Sequence, residues 1–154
     1  MKVRIETDES ISENEIVIRC KQLDQEIQKA QQVISNIMNI PKIVFYQNNL
    51  EYYLSINTIL FFETSQNRVD AHTKDTSYRI KYRLYELEEI LPLNFVRVSK
   101  STIINVNHIY SIDKNITSSS KVQFYKSYKQ VYVSRNYYKI LKQRLGERRN
   151  YDEN

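Results

Sequence analysis

A single glycine, Gly146, stands in a chain of 154 residues. Phosphate cradles of the P-loop and Rossmann kind need backbone without a Cβ. None can be assembled here, so that chemistry is excluded. Tight turns must draw on Asn, Asp and Ser, as at Asn48-Asn49, Gln66-Asn67 and Asp113-Lys114-Asn115. One cysteine, Cys20, leaves no internal disulfide and no thiolate zinc cage. Histidine is scarce too. His72 and His108 each fall in a strand-like context, where a satisfied structural role is the ordinary one. No H-E-x-x-H, G-x-S-x-G or Cys/His metal spacing occurs. No enzyme activity, metal or other cofactor is therefore expected. No apolar run approaches the roughly 20 residues of a membrane-spanning helix. The charges at Lys2, Arg4, Glu6, Asp8 and Glu9 do not suit a secretory signal peptide. A cytoplasmic location follows by default.

Acid is nearly missing from one third of the chain. Residues 93–145 hold ten Lys/Arg against one Asp/Glu, Asp113. Residues 1–40, 41–92 and 146–154 each carry a small negative balance, so the formal +5 arises wholly in that segment. Such asymmetry is the footprint of a protein that meets nucleic acid or another anionic surface. The plainer alternative is a basic solvated face with no partner. The apolar content, 41%, is enough for a real core. The length fits one domain with an appendage.

The pattern of elements follows from periodicity. Residues 2–7 and 15–20 alternate apolar and polar and predict a paired hairpin. From 21 to 40 the period changes. Cys20, Leu23, Ile27, Ala30, Ile34 and Ile37 recur at steps of three and four, a narrow heptad seam on a helix. That seam suggests a dimerisation arm, with packing on its own domain as the alternative. Pro41 ends the helix. Short strands are then predicted at 42–46, 51–56, 59–63, 68–73 and 77–82. Residues 83–91 predict a short helix with Leu84, Leu87, Ile90 and Leu91 inward and Glu86, Glu88 and Glu89 mostly toward solvent; Pro92 stops it. The stretch 95–107 predicts two strands around the polar run Ser99-Lys100-Ser101. Further strands are predicted at 108–113, 121–126 and 130–133. A last helix would be capped by Ser134, bury Tyr137, Ile140, Leu141 and Leu145, and close at Gly146. The chain thus reads as a mostly β (α+β) protein of short antiparallel strands.

Three polar loops could carry binding: 65–68, 99–101 and 134–136. Arg, Lys, Asn and Gln can bond base edges in a major groove. The N–H groups that open the last helix can receive a phosphate. Each loop alone could equally be a solvated turn.

These residues resemble the LytTR DNA-binding domain of bacterial transcription regulators. The resemblance rests on Ile59-Leu60-Phe61-Phe62-Glu63, on Tyr85 through Pro92 (YELEEILP), on Phe95 through Ser101 (FVRVSKS), on Ile104-Asn105 and on Val133-Ser134-Arg135. It spans roughly 42–145. It implies an elongated LytTR-like β-sheet domain over 41–146. Residues 1–40 would be a strand–strand–helix appendage and 147–154 a charged tail. It further implies that loops enter successive major grooves of double-stranded DNA. By motif position Asn67 or Arg68 falls on the first reading loop, and Lys100 and Arg135 are the candidates for base contacts. Ser101, Lys139 and the Asn136 backbone would position phosphates. Arg97 is the candidate for a structural tie between loop and core. Ser99 stands where the family usually has His, which alters any contact assigned there. Many relatives carry a receiver domain before this module, and forty residues cannot hold one. The chain is thus similar to the short, receiver-free type. A homodimer through 1–40 is expected from the seam, and the family suggests, as a conjecture, regulation by a membrane protein. The reading to set against a transcription regulator is a non-enzymatic interaction module whose basic face binds an acidic partner. A DNA-acting enzyme is a weaker third.

Overall fold

The computed structural model describes residues 4–10, 12, 15–38, 41–115 and 117–152, with side chains 36–37 and 148–152 outside the description. The chain divides into two compact units, 1–35 and 36–154.

In the first unit the helix α1 (Gln25–Met38) begins later than its sequence pattern. Asp24 sets the start: its carboxylate accepts the Ile27 N–H at 2.9 Å and its carbonyl accepts the Gln28 N–H at 3.0 Å. That is the N-cap arrangement, which satisfies otherwise orphaned donors. The hairpin expected at 2–7 and 15–20 does not form among the described residues. Residues 4–7 and 15–20 have no strand pairing, and all but Ile18 are exposed. Two strands without a third, or a helix to cover them, bury too little to hold together. The seam residues Ile27, Ala30 and Ile34 are half-buried, while Leu23, Val33 and Met38 are exposed.

The second unit is built on antiparallel strands. A seven-stranded sheet holds β1 (Phe45–Gln47), β2 (Leu50–Tyr52), β3 (Phe61–Ser65), β4 (Arg68–His72), β5 (Ser77–Ile80), β6 (Phe95–Ser99) and β7 (Thr102–Asn105). Their spatial order is β2-β1-β5-β4-β3-β7-β6. A three-stranded sheet holds β8 (Ile109–Asp113), β9 (Ser120–Phe124) and β10 (Gln130–Val133), with β9 central. Two helices complete the unit, α2 (Leu84–Ile90) and α3 (Arg135–Asp152).

The scarcity of glycine is met as composition dictates. Asn48, Asn49, Gln66 and Asn67 all adopt positive φ, between 49° and 64°. Each pair makes a two-residue hairpin turn, whose left-handed pair of residues matches the twist of the strands.

The large sheet is covered on both faces where β3 meets β7. Phe61 pairs with Ile104 and faces one core; Phe62 pairs with Ile103 and faces the other. All four residues of β7 are buried. A strand covered on both faces cannot alternate, which is why 102–105 reads as a continuous run. The first core also takes Val96 and Val98 of β6, Val122 and Phe124 of β9, Val131 and Val133 of β10, and Leu141 of α3. The second takes Leu84 and Leu87 of α2 with Phe45, Val69 and Ile80.

Two expectations for α3 are corrected. Ile140 is exposed, and Tyr137, Tyr138, Leu141 and Leu145 face the core instead. Gly146 does not end the helix, which continues to Asp152, so 147–152 is not a loose tail. A helical glycine costs only about 1 kcal/mol against alanine. Gly146 has no positive φ, so no left-handed cap forms there.

Candidate nucleic-acid interface

The first loop closes the hairpin of β3 and β4. Ser65 pairs with Arg68, leaving Gln66 and Asn67 at the tip. The second closes the hairpin of β6 and β7. Ser99 pairs with Thr102, leaving Lys100 and Ser101 at the tip. β3 and β6 are each antiparallel to β7, so they run the same way and both turns leave the sheet at one end. The Thr64 N–H donates to the Ser101 carbonyl at 2.8 Å and ties the first loop to the second.

The third loop joins them from the small sheet. The Ser134 N–H donates to the Val98 carbonyl at 2.9 Å, just before the second loop. Ser134 precedes α3, and its carbonyl accepts the Tyr137 N–H at 3.0 Å. Arg135 and Asn136 therefore open α3 beside the 99–101 turn. Lys139 lies one turn on from Arg135, on the same face of the helix.

The side chains sort by whether the fold already employs them. Lys100, Arg135, Asn136 and Lys139 are exposed and have no side-chain hydrogen bond or ion pair among the described residues. Asn67 is exposed at its turn. Arg68 lies 3.5 Å from Asp70 and is half exposed, a pair worth little at a surface. Ser99 is turned inward to its own loop: its Oγ accepts the Ser101 N–H at 3.2 Å and lies 3.3 Å from Ser101 Oγ. A hydroxyl fits that small turn, whatever role the residue has toward a ligand.

Arg97 ties loop to core through three nitrogens. Nε donates to the Ser99 carbonyl at 2.7 Å, Nη1 to Glu88 at 2.7 Å, and Nη2 to the Lys100 carbonyl. Glu88 therefore does not simply face solvent. Glu86 is also employed, since its carboxylate accepts the Arg83 N–H at 2.7 Å and caps α2. The Glu86 role is the local capping-box spacing of N-cap and third helical residue, whereas the Glu88 role depends on how the outer face of α2 meets β6 and follows from no spacing.

The histidines are built into the frame. His72 stacks on Phe61 with centroids 4.2 Å apart. Burial, and then the Lys129 charge, push its pKa down to about 4, against a smaller opposing effect of Asp70. The ring is neutral near pH 7, so its 3.7 Å approach to Glu63 is not an ion pair there. His108 Nε2 lies 2.6 Å from the Asn57 carbonyl. Among the described residues no cluster of His, Cys, Asp or Glu could hold a metal ion, and no helix is long and apolar enough to cross a membrane.

The sequence profile of the LytTr DNA-binding domain matches residues 49–146, which takes in all three loops. The chain belongs to the LytTr DNA-binding domain family. A solved LytTr DNA-binding domain from Bacillus cereus shares the fold, with a TM-score of 0.63 at 23% identity over 69% of this chain and 98% of that one. An uncharacterized HTH-type transcriptional regulator of Staphylococcus aureus strain bovine RF122 / ET3-1 is 28% identical over 95% of this chain and 99% of its own length. A namesake from S. aureus strain NCTC 8325 / PS 47 is 27% identical over the same shares. Among the described residues, α1, α2 and α3 are separated by strands, so no two of them form a helix–turn–helix.

Proposed function

We propose that the chain is a cytoplasmic, non-enzymatic transcription regulator that reads the major groove of double-stranded DNA sequence-specifically. The observation that carries this reading is the convergence of three polar loops on one end of a rigid β frame, with Lys100 and Arg135 uncommitted at adjacent tips. Lys100 and Arg135 contact bases. Asn67 and Arg68 extend the footprint from the first hairpin, and Ser99 holds the loop that presents Lys100. Ser101, Lys139 and the Asn136 N–H at the opening of α3 engage phosphates. The ten-to-one excess of cations in 93–145 supplies the sequence-independent attraction.

Selection from a random double-stranded pool by the purified chain tests the reading. Enrichment of one motif is expected. Its binding should weaken steeply with salt, with a log–log slope near −0.9 per phosphate contacted. A chain that enriches nothing, yet holds an acidic protein partner at high salt, would replace this reading with an interaction module.

Dimerisation through 1–40 is the second part of the proposal. The half-covered Ile27, Ala30 and Ile34 lie on one stripe of α1. Sedimentation equilibrium at micromolar concentration should give the mass of two chains, and the selected motif should contain paired half-sites. A one-chain mass removes the arm.

A further inference from the structure

We propose that Glu88 is a positioning residue for DNA reading, acting through Arg97 to fix the backbone that presents Lys100. The inference rests on the reading above and adds residues that do not themselves touch DNA.

The 99–101 turn is held from within by Ser99 and from β3 by Thr64, and Arg97 adds a third restraint at the Lys100 carbonyl. The turn contains no glycine or proline, and it follows a bulge in β6 where the register shifts between Arg97 and Ser99. A bulge bends its strand and re-aims what comes next. The Arg97 guanidinium takes hold of two successive carbonyls beyond that bend, Ser99 and Lys100. Fixing the Lys100 carbonyl fixes the peptide from which its side chain springs.

A guanidinium can grip those carbonyls only if its own plane is held. Glu88 supplies that, at 2.7 Å from Nη1. The acid stands on α2, whose Leu84 and Leu87 are buried in the second core. The chain of contact thus runs from a packed helix, through one carboxylate and one planar cation, to the recognition loop. Arg97 is only 20% exposed and Glu88 44%, so the pair is partly shielded from water. An unpaired acid here would repel phosphates; paired, its charge is offset.

Lysine cannot replace Arg97. One ammonium on a flexible stem does not present three nitrogens in a fixed plane toward three acceptors. The clamp therefore predicts equal failure of Glu88→Gln, which removes the anchor's charge, and Arg97→Lys, which keeps the cation but loses the fork.

The experiment compares wild type, Glu88→Gln and Arg97→Lys on two probes, the duplex that wild type selects from the random pool and a scrambled duplex of equal length. Amide hydrogen exchange at 99–101 is followed in the free proteins. Both variants should lose about tenfold in the ratio of selected to scrambled affinity, the scale of one good base contact. Scrambled-duplex binding should hold or rise in Glu88→Gln, because an anionic group has gone. Exchange at 99–101 should quicken in both, while exchange at 61–63 of β3 and 103–105 of β7 stays as in wild type. An unchanged ratio overturns the clamp, whether or not the loop loosens. So does a ratio that falls with no change in loop exchange, or one preserved by Arg97→Lys. If wild type itself selects no duplex, the reading beneath the inference fails first.

Discussion

Replacing Lys100 and Arg135 together by alanine should cost about 2–6 kcal/mol on the selected duplex, and each alone about 1–3. The summed figure assumes that neighbouring contacts add, which a double-mutant cycle tests directly. Both side chains are exposed and have no partner in the fold among the described residues. Their removal should therefore leave the unfolding midpoint nearly unmoved, as for ordinary surface changes. Binding to a scrambled duplex should weaken far less, because base contacts discriminate and phosphate contacts do not. Arg68→Ala makes the internal comparison. Its guanidinium is partly engaged by Asp70, so its loss should be smaller and similar on both duplexes. Fluorescence anisotropy titrations at two salt concentrations separate the cases. If the double variant keeps the full ratio of selected to scrambled affinity, the 99–101 and 134–136 loops do not read sequence.

The placement of Lys100 beside Arg135 could be anticipated only by way of a resemblance. The strands are legible by two different signals: 68–72 alternates because one of its faces is buried, while 59–62 and 102–105 are buried throughout and do not alternate. Asn and Gln pairs marked the hairpin turns because no glycine was available to compete for them. Periodicity failed where burial was absent. Residues 15–20 alternate like a strand, yet they pair with no strand among the described residues and all but Ile18 are exposed. Ile140 is apolar yet exposed, because it lies nearly opposite Tyr138 on α3, and Tyr138 is on the face that meets the core. The Glu88–Arg97 pair was invisible for another reason. Nine residues separate the partners, across a helix end and the turn that starts β6, so neither helical nor strand spacing brings them together. Sequence patterns report what faces the core. They say little about which polar groups meet at its rim, where the recognition loop is held.

Asn105→Ala should destabilise the domain by about 2–5 kcal/mol, measured as a lower urea midpoint with unchanged m-value. Asn105 is 1% exposed and makes three hydrogen bonds with its side-chain amide. Its Nδ2 donates to the Ile59 carbonyl at 3.0 Å, and its Oδ1 accepts the Asn94 amide at 2.8 Å and the Asn107 N–H at 3.1 Å. Truncation leaves the buried Ile59 carbonyl and the half-buried Asn94 amide without that partner, at about 1–3 kcal/mol for each, while the N–H of exposed Asn107 can turn to water. Asn94→Ala should cost less, since it removes one contact from a partly buried side chain. Asn105→Asp gives the sharper result. The carboxylate could still accept from Asn94 and Asn107, but toward Ile59 it would set one oxygen against another. That variant should be weakest at neutral pH and recover part of its loss on acidification, as the protonated acid regains a donor for Ile59. Alanine shows no such recovery. Asn105 closes β7 at the end remote from Lys100, so the selected-to-scrambled affinity ratio of folded Asn105→Asp should match wild type. A fall in that ratio would mean that the recognition loop feels the far end of its hairpin, and that the frame is less rigid than its two packed faces imply.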